Sequence, residues 1–540
     1  MSLSAPGMVV APQPEAAEAG ADVLRAGGNA VDAAVAAALV QTVVDPIMCG
    51  LAGFGSMQVR LANGTHRMID FHGQAPQAVK ADMWQDLIIR ENEDGFGFAL
   101  KGEVNEIGYR SITTPMTLKA LSRAAGAFGT MAFSELLAPA IGYAQDGFLV
   151  RPHVRGFLDD VPTTGRVPHR EFVTRNEGSA RIYLKEDGTL YKVGERLKNP
   201  DMARTLERIA AHGPDDFYTG AISREIVADM ETNSGLISAH DLANVTPSEG
   251  EPLWSTYRGH RLSTNAPPGG GLMIVLMLNI LENFDLAGMG HNSSAYIATV
   301  SEAMKIATSD KDNHIGDPRF VDVPVERLAS KEYAAERAAQ IKAGEKAHVV
   351  RLNQGGPESK DTTHISVADA AGNAVAVTHS IGMPSGVVTK GLGFMYNGCM
   401  GVFDPRPGRA GSLAPGKARF TAMCPTMLFA GDTPDPWLVI GAPGGTYITM
   451  GVLQGILNAV DFGMSAQEAV SAPRFCTTSD TIDVTNRILR RTEAELQAMG
   501  YPTRRTAQTY GFAGVHALRR TAAGWDGGAD PGRDGIAVGV

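Results

Sequence analysis

Cysteine is scarce. Only Cys49, Cys399, Cys424 and Cys476 occur in 540 residues. They are too few, and too irregularly spaced, for a disulfide framework or a CxxC-type metal site. Buried, reduced thiols are the expectation. Basic charge is also short, with 48 Lys and Arg against 58 Asp and Glu and a net charge of −10. No basic run appears anywhere, which argues against a nucleic-acid partner. Long apolar runs are missing too. The longest, residues 31–44, is broken by Asp32 and Gln41 and falls short of a bilayer span. Residues 1–10 carry neither a basic region nor a sufficient apolar stretch, so a signal peptide is not expected and a cytoplasmic placement is. No membrane partner, metal or cofactor is expected.

What remains is a globular composition, 44% hydrophobic and 20% charged. The 62 glycines exceed the ~7% of average usage and are spread out, which suggests many tight turns rather than a linker. A helix is expected over residues 15–26, ending at Gly27-Gly28. Asn29 can cap a second, over residues 30–44, apolar on most sides and therefore buried. Residues 55–61 and 67–71 read as paired strands around Ala62-Asn63-Gly64. Residues 114–350 read as mainly helical, with segments at 117–125, 132–145, 202–212, 222–232, 272–281 and 294–308. A second β-rich part begins near residue 362. Two more helices follow, one over 451–461 and one opened by Ser465 with Glu468 three positions on.

The polar segment 352–361 contains Gly355, Gly356 and Pro357 and is expected to be a mobile surface loop. It runs directly into Thr362-Thr-His-Ile-Ser-Val-Ala, which alternates as a strand does. The turn Asp369-Ala-Ala-Gly-Asn373 folds this strand back on residues 374–380. Asp369 then pairs with Asn373, and counting back sets Thr362 opposite Ser380. A threonine freed at a chain terminus can use its own α-amine as the base for its hydroxyl. That chemistry needs a break between Asp361 and Thr362, with Ser380 holding the nucleophile. By spacing alone, an ordinary hairpin with surface threonines fits as well. Gly441-Ala-Pro-Gly444-Gly445 follows an apolar run at 437–440 and precedes a helix. Adjacent glycines can aim backbone N–H groups into a cavity, as an oxyanion hole requires. Motifs of other hydrolases are missing: there is no GxSxG and no HExxH. Gly411 to Lys417 nearly matches a phosphate loop, but Ala418 stands where a magnesium-binding hydroxyl belongs.

With these pieces in place, the sequence resembles the γ-glutamyltransferase family of N-terminal nucleophile hydrolases. The resemblance runs through Gly27-Gly-Asn-Ala-Val-Asp-Ala-Ala, Gly50-Leu-Ala-Gly-Phe-Gly, Asn265-Ala-Pro-Pro-Gly-Gly-Gly, Glu302-Ala-Met-Lys, Asp361-Thr-Thr-His-Ile-Ser-Val and Ala472-Pro-Arg-Phe. It implies a four-layer αββα sandwich made as a precursor that cuts itself. The division would be a helix-rich large subunit, 1–361, and a small subunit, 362–540, intertwined as one unit. Such units occur singly or as dimers of heterodimers. The resemblance also implies that Thr362 is the nucleophile, that Ser380 stands for a second family threonine, and that Gly444 and Gly445 form the oxyanion pair.

The substrate positions depart from the family pattern. Asp-Phe-Arg-Glu, whose arginine grips the glutamyl α-carboxylate, becomes Asp70-Phe71-His72-Gly73. The carboxylate that binds the α-ammonium becomes Val402, and a Gln/Glu in the same motif becomes Cys399. A Ser-Ser pair becomes Thr421-Ala422, and an Asn becomes Gly382. His72 is either a surface residue beside a strand end or part of the pocket. Lys417 and Arg419 either offer charge to an acidic substrate or are structural. The wording from Phe403 to Lys417 is similar to the cephalosporin-acylase-like branch. The expected function is an amide hydrolase or acyltransferase acting on a small-molecule amide. Its acyl group is either γ-glutamyl, as in glutathione, or a different one, glutaryl or a small acyl. An unprocessed, non-catalytic binding protein is the alternative of another class.

Overall fold

The computed structural model describes residues 4–92, 97–162, 166–350, 362–506 and 511–540. The expected loop over 352–361, Asp361 included, lies outside the described residues.

Strands of two seven-stranded sheets carry the fold. In chain order they are β1 (Ser4–Ala5), β2 (Met8–Ala11), β3 (Phe54–Arg60), β4 (His66–Phe71), β5 (Ser248–Gly250), β6 (Leu253–Tyr257) and β7 (His260–Thr264). There follow β8 (Thr363–Ala368), β9 (Ala374–Ser380), β10 (Thr426–Ala430), β11 (Leu438–Gly441), β12 (His516–Thr521), β13 (Gly524–Ala529) and β14 (Ile536–Gly539). One sheet runs β1-β13-β12-β11-β10-β7-β6 and the other β14-β2-β8-β9-β3-β4-β5. Every pairing in both is antiparallel. Each sheet draws strands from both sides of residue 362, so neither flank of that position closes a sheet by itself.

Helices cover the outer faces. On the β8-β9 sheet lie α1 (Pro14–Arg25) and α2 (Ala30–Val44), in one large apolar cluster with Ile365, Val367, Val375 and Val377. All fifteen residues of α2 are buried. Its alanines let neighbours approach on every side, and Asn29 with Asp32 closes the capping box that starts it. On the other sheet α3 (Gly271–Leu281), α4 (Ser294–His314) and α5 (Ile448–Val460) form a second cluster with Leu262, Leu428, Leu438 and Ile440. This is the αββα sandwich that the resemblance implies.

The expected helices are present, with shifted ends. The helix α4 runs to His314, six residues beyond the apolar spacing, through a polar segment whose Lys311 and His314 suit a helix C-terminus. The mainly helical stretch 114–350 also holds strands that its reading did not single out. Residues 248–264 form β5, β6 and β7. The turn between β6 and β7 is Arg258-Gly259, both with positive φ (49° and 78°), the two-residue hairpin connection. The four cysteines are buried and unpaired with one another. Among the described residues, no helix is long and apolar enough to cross a membrane, and no group of three His, Cys, Asp or Glu is placed to hold a metal ion.

The layer between the sheets is thin and partly polar. Its apolar cluster holds Val10, Ala368, Ala374, Ala376, Phe429 and Val439 among others. His364 from β8 packs against Gly441 of β11, where any Cβ would overlap the imidazole ring. Both of its nitrogens meet hydroxyls, Nδ1 with Thr378 Oγ1 at 2.8 Å and Nε2 with Ser366 Oγ at 3.0 Å. Burial holds four histidines neutral: His66, His379 and His516 are pushed down to about 3 and His169 to about 4.

A stability trend follows from these four groups. Unfolded histidine titrates near ~6.5, so below that pH the unfolded chain binds protons that the folded chain refuses. Stability is therefore retained above pH ~6.5 and declines as pH falls toward ~3, by about 1.4 kcal/mol per pH unit for each histidine fully inside that window. The urea midpoint is expected to drop steadily from pH 7 to pH 5, before most carboxylates titrate. A flat midpoint over that range would contradict it.

Candidate active site

Thr362 immediately precedes β8. The β8-β9 register, Thr363 with His379 through Ala368 with Ala374, continues back to place it opposite Ser380. The hairpin turn is the expected one. Asp369 N donates to Asn373 O at 3.0 Å, and Gly372 takes φ +95°. Asp369 Oδ2 also accepts from Ala30 N at 2.9 Å, so the turn residue helps to cap α2. On the opposite face of β8, Thr363 Oγ1 accepts from Gln41 Nε2 at 2.8 Å. Gln41 Oε1 lies 2.8 Å from His379 Nε2, and Gln13 bonds Asp45. A buried polar network thus grips the strand from behind.

Thr362 Oγ1 donates to Ser380 Oγ at 3.0 Å. Ser380 Oγ in turn donates to Met48 O at 3.2 Å and accepts from Gly382 N at 2.8 Å. This fixes the Ser380 hydroxyl as the acceptor for Thr362. Thr362 is buried, with φ +97°. For a β-branched residue that is a strained backbone, of order 1–3 kcal/mol.

A cavity opens beside Thr362. Gly382, Thr421, Ala422 and Gly445 line it together with Thr362. Gly444 and Gly445 leave the end of β11 with φ +141° and +56°. A Cβ on Gly444 would lie 2.6 Å from Ala513 Cα, so only glycine fits that turn. Gly445 reaches the cavity from one sheet and Thr362 from the other; Gly444 stands one residue behind the lining.

Other expected positions stand behind the wall. Cys399 is fully buried, its Sγ 3.5 Å from Ile381 O. His72 is buried and does not line the cavity. It lies 3.5 Å from Asp70, and burial holds its imidazole below the usual value; Asp70 and Asp317 counter this, and Arg419 adds to it. The surface alternative for His72 is thus excluded. Lys417 ties its own loop, donating to Ala410 O at 2.8 Å and Ser412 O at 2.9 Å, so the phosphate-loop-like segment is internally satisfied.

Arg419, by contrast, lines the cavity. So do Glu106 and Arg166, which sequence reasoning did not single out; they approach within 3.8 Å of each other. Both come from irregular segments without a motif, and no local signal marks them. The remaining wall is mainly apolar, with Phe54, Met383, Met423 and Ile448.

Comparisons with known proteins agree with this geometry. The family model described as Gamma-glutamyltranspeptidase matches residues 16–540. The chain is 39% identical over 515 residues to Acylase ACY 1 proenzyme of Pseudomonas sp. (strain V22), covering 95% of this chain and 89% of that protein. It is 37% identical over 486 residues to Glutathione hydrolase proenzyme of Escherichia coli (strain K12), covering 87% and 80%. The crystal structure of cephalosporin acylase from Bacillus halodurans superposes with a TM-score of 0.87 at 28% identity, over 99% of this chain and 96% of that one. With a whole-length family match and the αββα sandwich together, the chain belongs to the γ-glutamyltranspeptidase family of N-terminal nucleophile hydrolases, which cleave themselves to expose a threonine nucleophile.

Proposed function

We propose that the chain cuts itself between Asp361 and Thr362 and then acts as an amide hydrolase or acyltransferase with Thr362 as nucleophile. The observation that carries this is the Thr362 Oγ1 to Ser380 Oγ hydrogen bond, 3.0 Å, at the wall of a cavity that Gly445 also lines. Cleavage divides the chain into 1–361 and 362–540 and gives Thr362 a free α-amine. That amine takes the hydroxyl proton as Oγ1 attacks the amide carbonyl carbon. The Gly444 and Gly445 amides stabilise the oxyanion of the tetrahedral adduct. As the adduct collapses, the C–N bond breaks and the proton passes to the leaving amine. The acyl group stays on Thr362 Oγ1 as an ester, which water or an acceptor amine releases. Ser380 orients the nucleophile throughout.

For the acyl group we favour one other than γ-glutamyl. Position 402 is valine and position 72 is a neutral histidine behind the wall, so the family's two head-group anchors are absent from their usual places. An imidazole held neutral does not replace a bidentate guanidinium. A γ-glutamyl substrate such as glutathione is the second reading, favoured by the 37% identity to the glutathione hydrolase of Escherichia coli.

Intact mass tests the first step. Freshly purified protein is expected as two species of about 38 and about 19 kDa, the 57.0 kDa chain split in proportion to its residues, with Thr362 at the new N-terminus. Thr362→Ala is expected to stay uncut. A wild-type chain that also stays uncut would defeat the proposal and favour a non-catalytic binding role. In the same assay, Ser380→Ala is expected to slow self-cleavage and amide hydrolysis about tenfold, the effect of one lost hydrogen bond worth ~1.4 kcal/mol. Unchanged rates would remove Ser380 from the site.

A further inference from the structure

Asp45 ends α2 as a carboxylate only 1% exposed, and it does not line the cavity. Both of its oxygens are occupied. Oδ2 accepts from Gln13 Nε2, and Oδ1 lies 3.2 Å from His153 Nε2. Gln13 Oε1 accepts from Gln41 Nε2 at 2.6 Å. That nitrogen has a second hydrogen, which goes to Thr363 Oγ1 at 2.8 Å. Gln41 Oε1 is left for His379 Nε2, also at 2.8 Å. Thr363 and His379 are cross-strand partners, one step along the hairpin from Thr362 and Ser380.

This chain of bonds has one direction. A carboxylate only accepts, whereas an amide side chain donates at one end and accepts at the other. With Asp45 accepting, the Gln13 nitrogen turns to Asp45 and its oxygen to Gln41. Gln41 is oriented in the same sense, so the neutral His379 ring carries its proton on Nε2. The Thr363 hydroxyl accepts from Gln41 and donates to Gln13 Oε1 at 3.3 Å. A donor at position 45 would set nitrogen against nitrogen at each link that follows. Asp45 also reaches Ser380 by a second route. Its backbone oxygen accepts from Met48 N at 3.0 Å and from Cys49 N at 3.1 Å. The turn so formed presents Met48 O, which accepts from Ser380 Oγ and from Ile381 N, each at 3.2 Å.

We propose that Asp45 is a positioning residue for the Thr362–Ser380 pair: its carboxylate, accepting at the end of the Gln13–Gln41 chain, aligns Thr363 and His379, and with them the two hydroxyls. This rests on the proposed Thr362 amidase reading. Asp45 acts through its neighbours and touches no reacting atom.

Self-cleavage is the test, because a chain that cuts itself has no binding step and its rate reports alignment. Cleavage is timed on the full-length chain as it leaves cell-free synthesis. Asp45→Asn keeps the shape and adds a donor, and is expected to be cut about tenfold more slowly. Gln13→Glu/Asp45→Asn exchanges the carboxylate and the amide. Position 13 then accepts from both neighbours, so Gln41 keeps its direction, and the rate is expected to return to within about threefold of wild type. A loss of packing alone would not be repaired by a second substitution. Urea midpoints of the same changes in the Thr362→Ala chain report that each variant folds. A wild-type rate in Asp45→Asn, or a double variant no faster than the single, overturns the proposal. Should Asp45→Asn not fold, Thr363→Val takes its place, removing the hydroxyl where the chain of bonds meets β8. Cleavage about tenfold slower, with recovery in Thr363→Ser, is then expected; an unchanged rate or no recovery overturns the proposal. An uncut wild-type chain defeats the amidase reading instead. Histidine 15N shifts, assigned by the signals lost in His379→Gln, then decide whether Asp45 sets the direction. A proton on His379 Nε2 alone in wild type, and on either nitrogen in Asp45→Asn, supports it; identical spectra overturn it.

Discussion

The β8-β9 register is the constraint on which the site depends. A shift of one residue would turn Thr362 and Ser380 toward the helices and Thr363 and His379 toward the cavity. Two independent devices prevent it. At one end, Gly372 closes a turn that only a positive φ allows, and the Asp369 carboxylate bonds both the turn and the first turn of α2. At the other, Gln41 and Gln13 bind Thr363 from the helix side. The buried helix α2 is thus clamped to both ends of the hairpin, and its register cannot slip without uncapping a helix and stranding buried amides.

The same alternation explains the polar layer between the sheets. Thr362, His364 and Ser366 share one face of β8, and Thr378 and Ser380 share the matching face of β9. Of these five residues, Thr362 alone is among those that line the cavity. The pairs further in are consumed by His364, whose two nitrogens meet Thr378 and Ser366. The imidazole two residues after the proposed nucleophile is therefore a filled, neutral packing element against Gly441. That leaves the α-amine that the proposed cleavage would create as the base at hand. The strained φ of Thr362 sits where this packed ladder meets the site.

Local information made much of this legible in the sequence. A glycine-containing turn between two alternating runs fixes a hairpin, and counting along it pairs Thr362 with Ser380 without reference to the rest of the fold. The second helix was equally plain, because Asn29, Asp32 and an alanine-rich run act within a few residues of one another. Strands β5, β6 and β7 were hidden because β5 and β6 have mostly exposed or half-buried residues and each is an edge strand, so the alternation is weak. The pocket charges were hidden for a different reason. Glu106 and Arg166 reach the cavity through loops, where tertiary packing alone decides what points inward. For Arg419 against Lys417, two positions apart, sequence offered no way to tell that one lines the wall and the other ties its loop.

This contrast separates the chemistry from the choice of substrate. Thr362, Ser380 and the glycine turn are set by strand register and by backbone that tolerates no Cβ, so they resist change. The charged side chains of the cleft wall, Glu106, Arg166 and Arg419, stand instead on irregular segments, where no strand register fixes the residue type. With His72 behind the wall and valine at position 402, the family's head-group anchors have no counterpart at those positions, while Thr362, Ser380 and Gly445 remain together at the cleft.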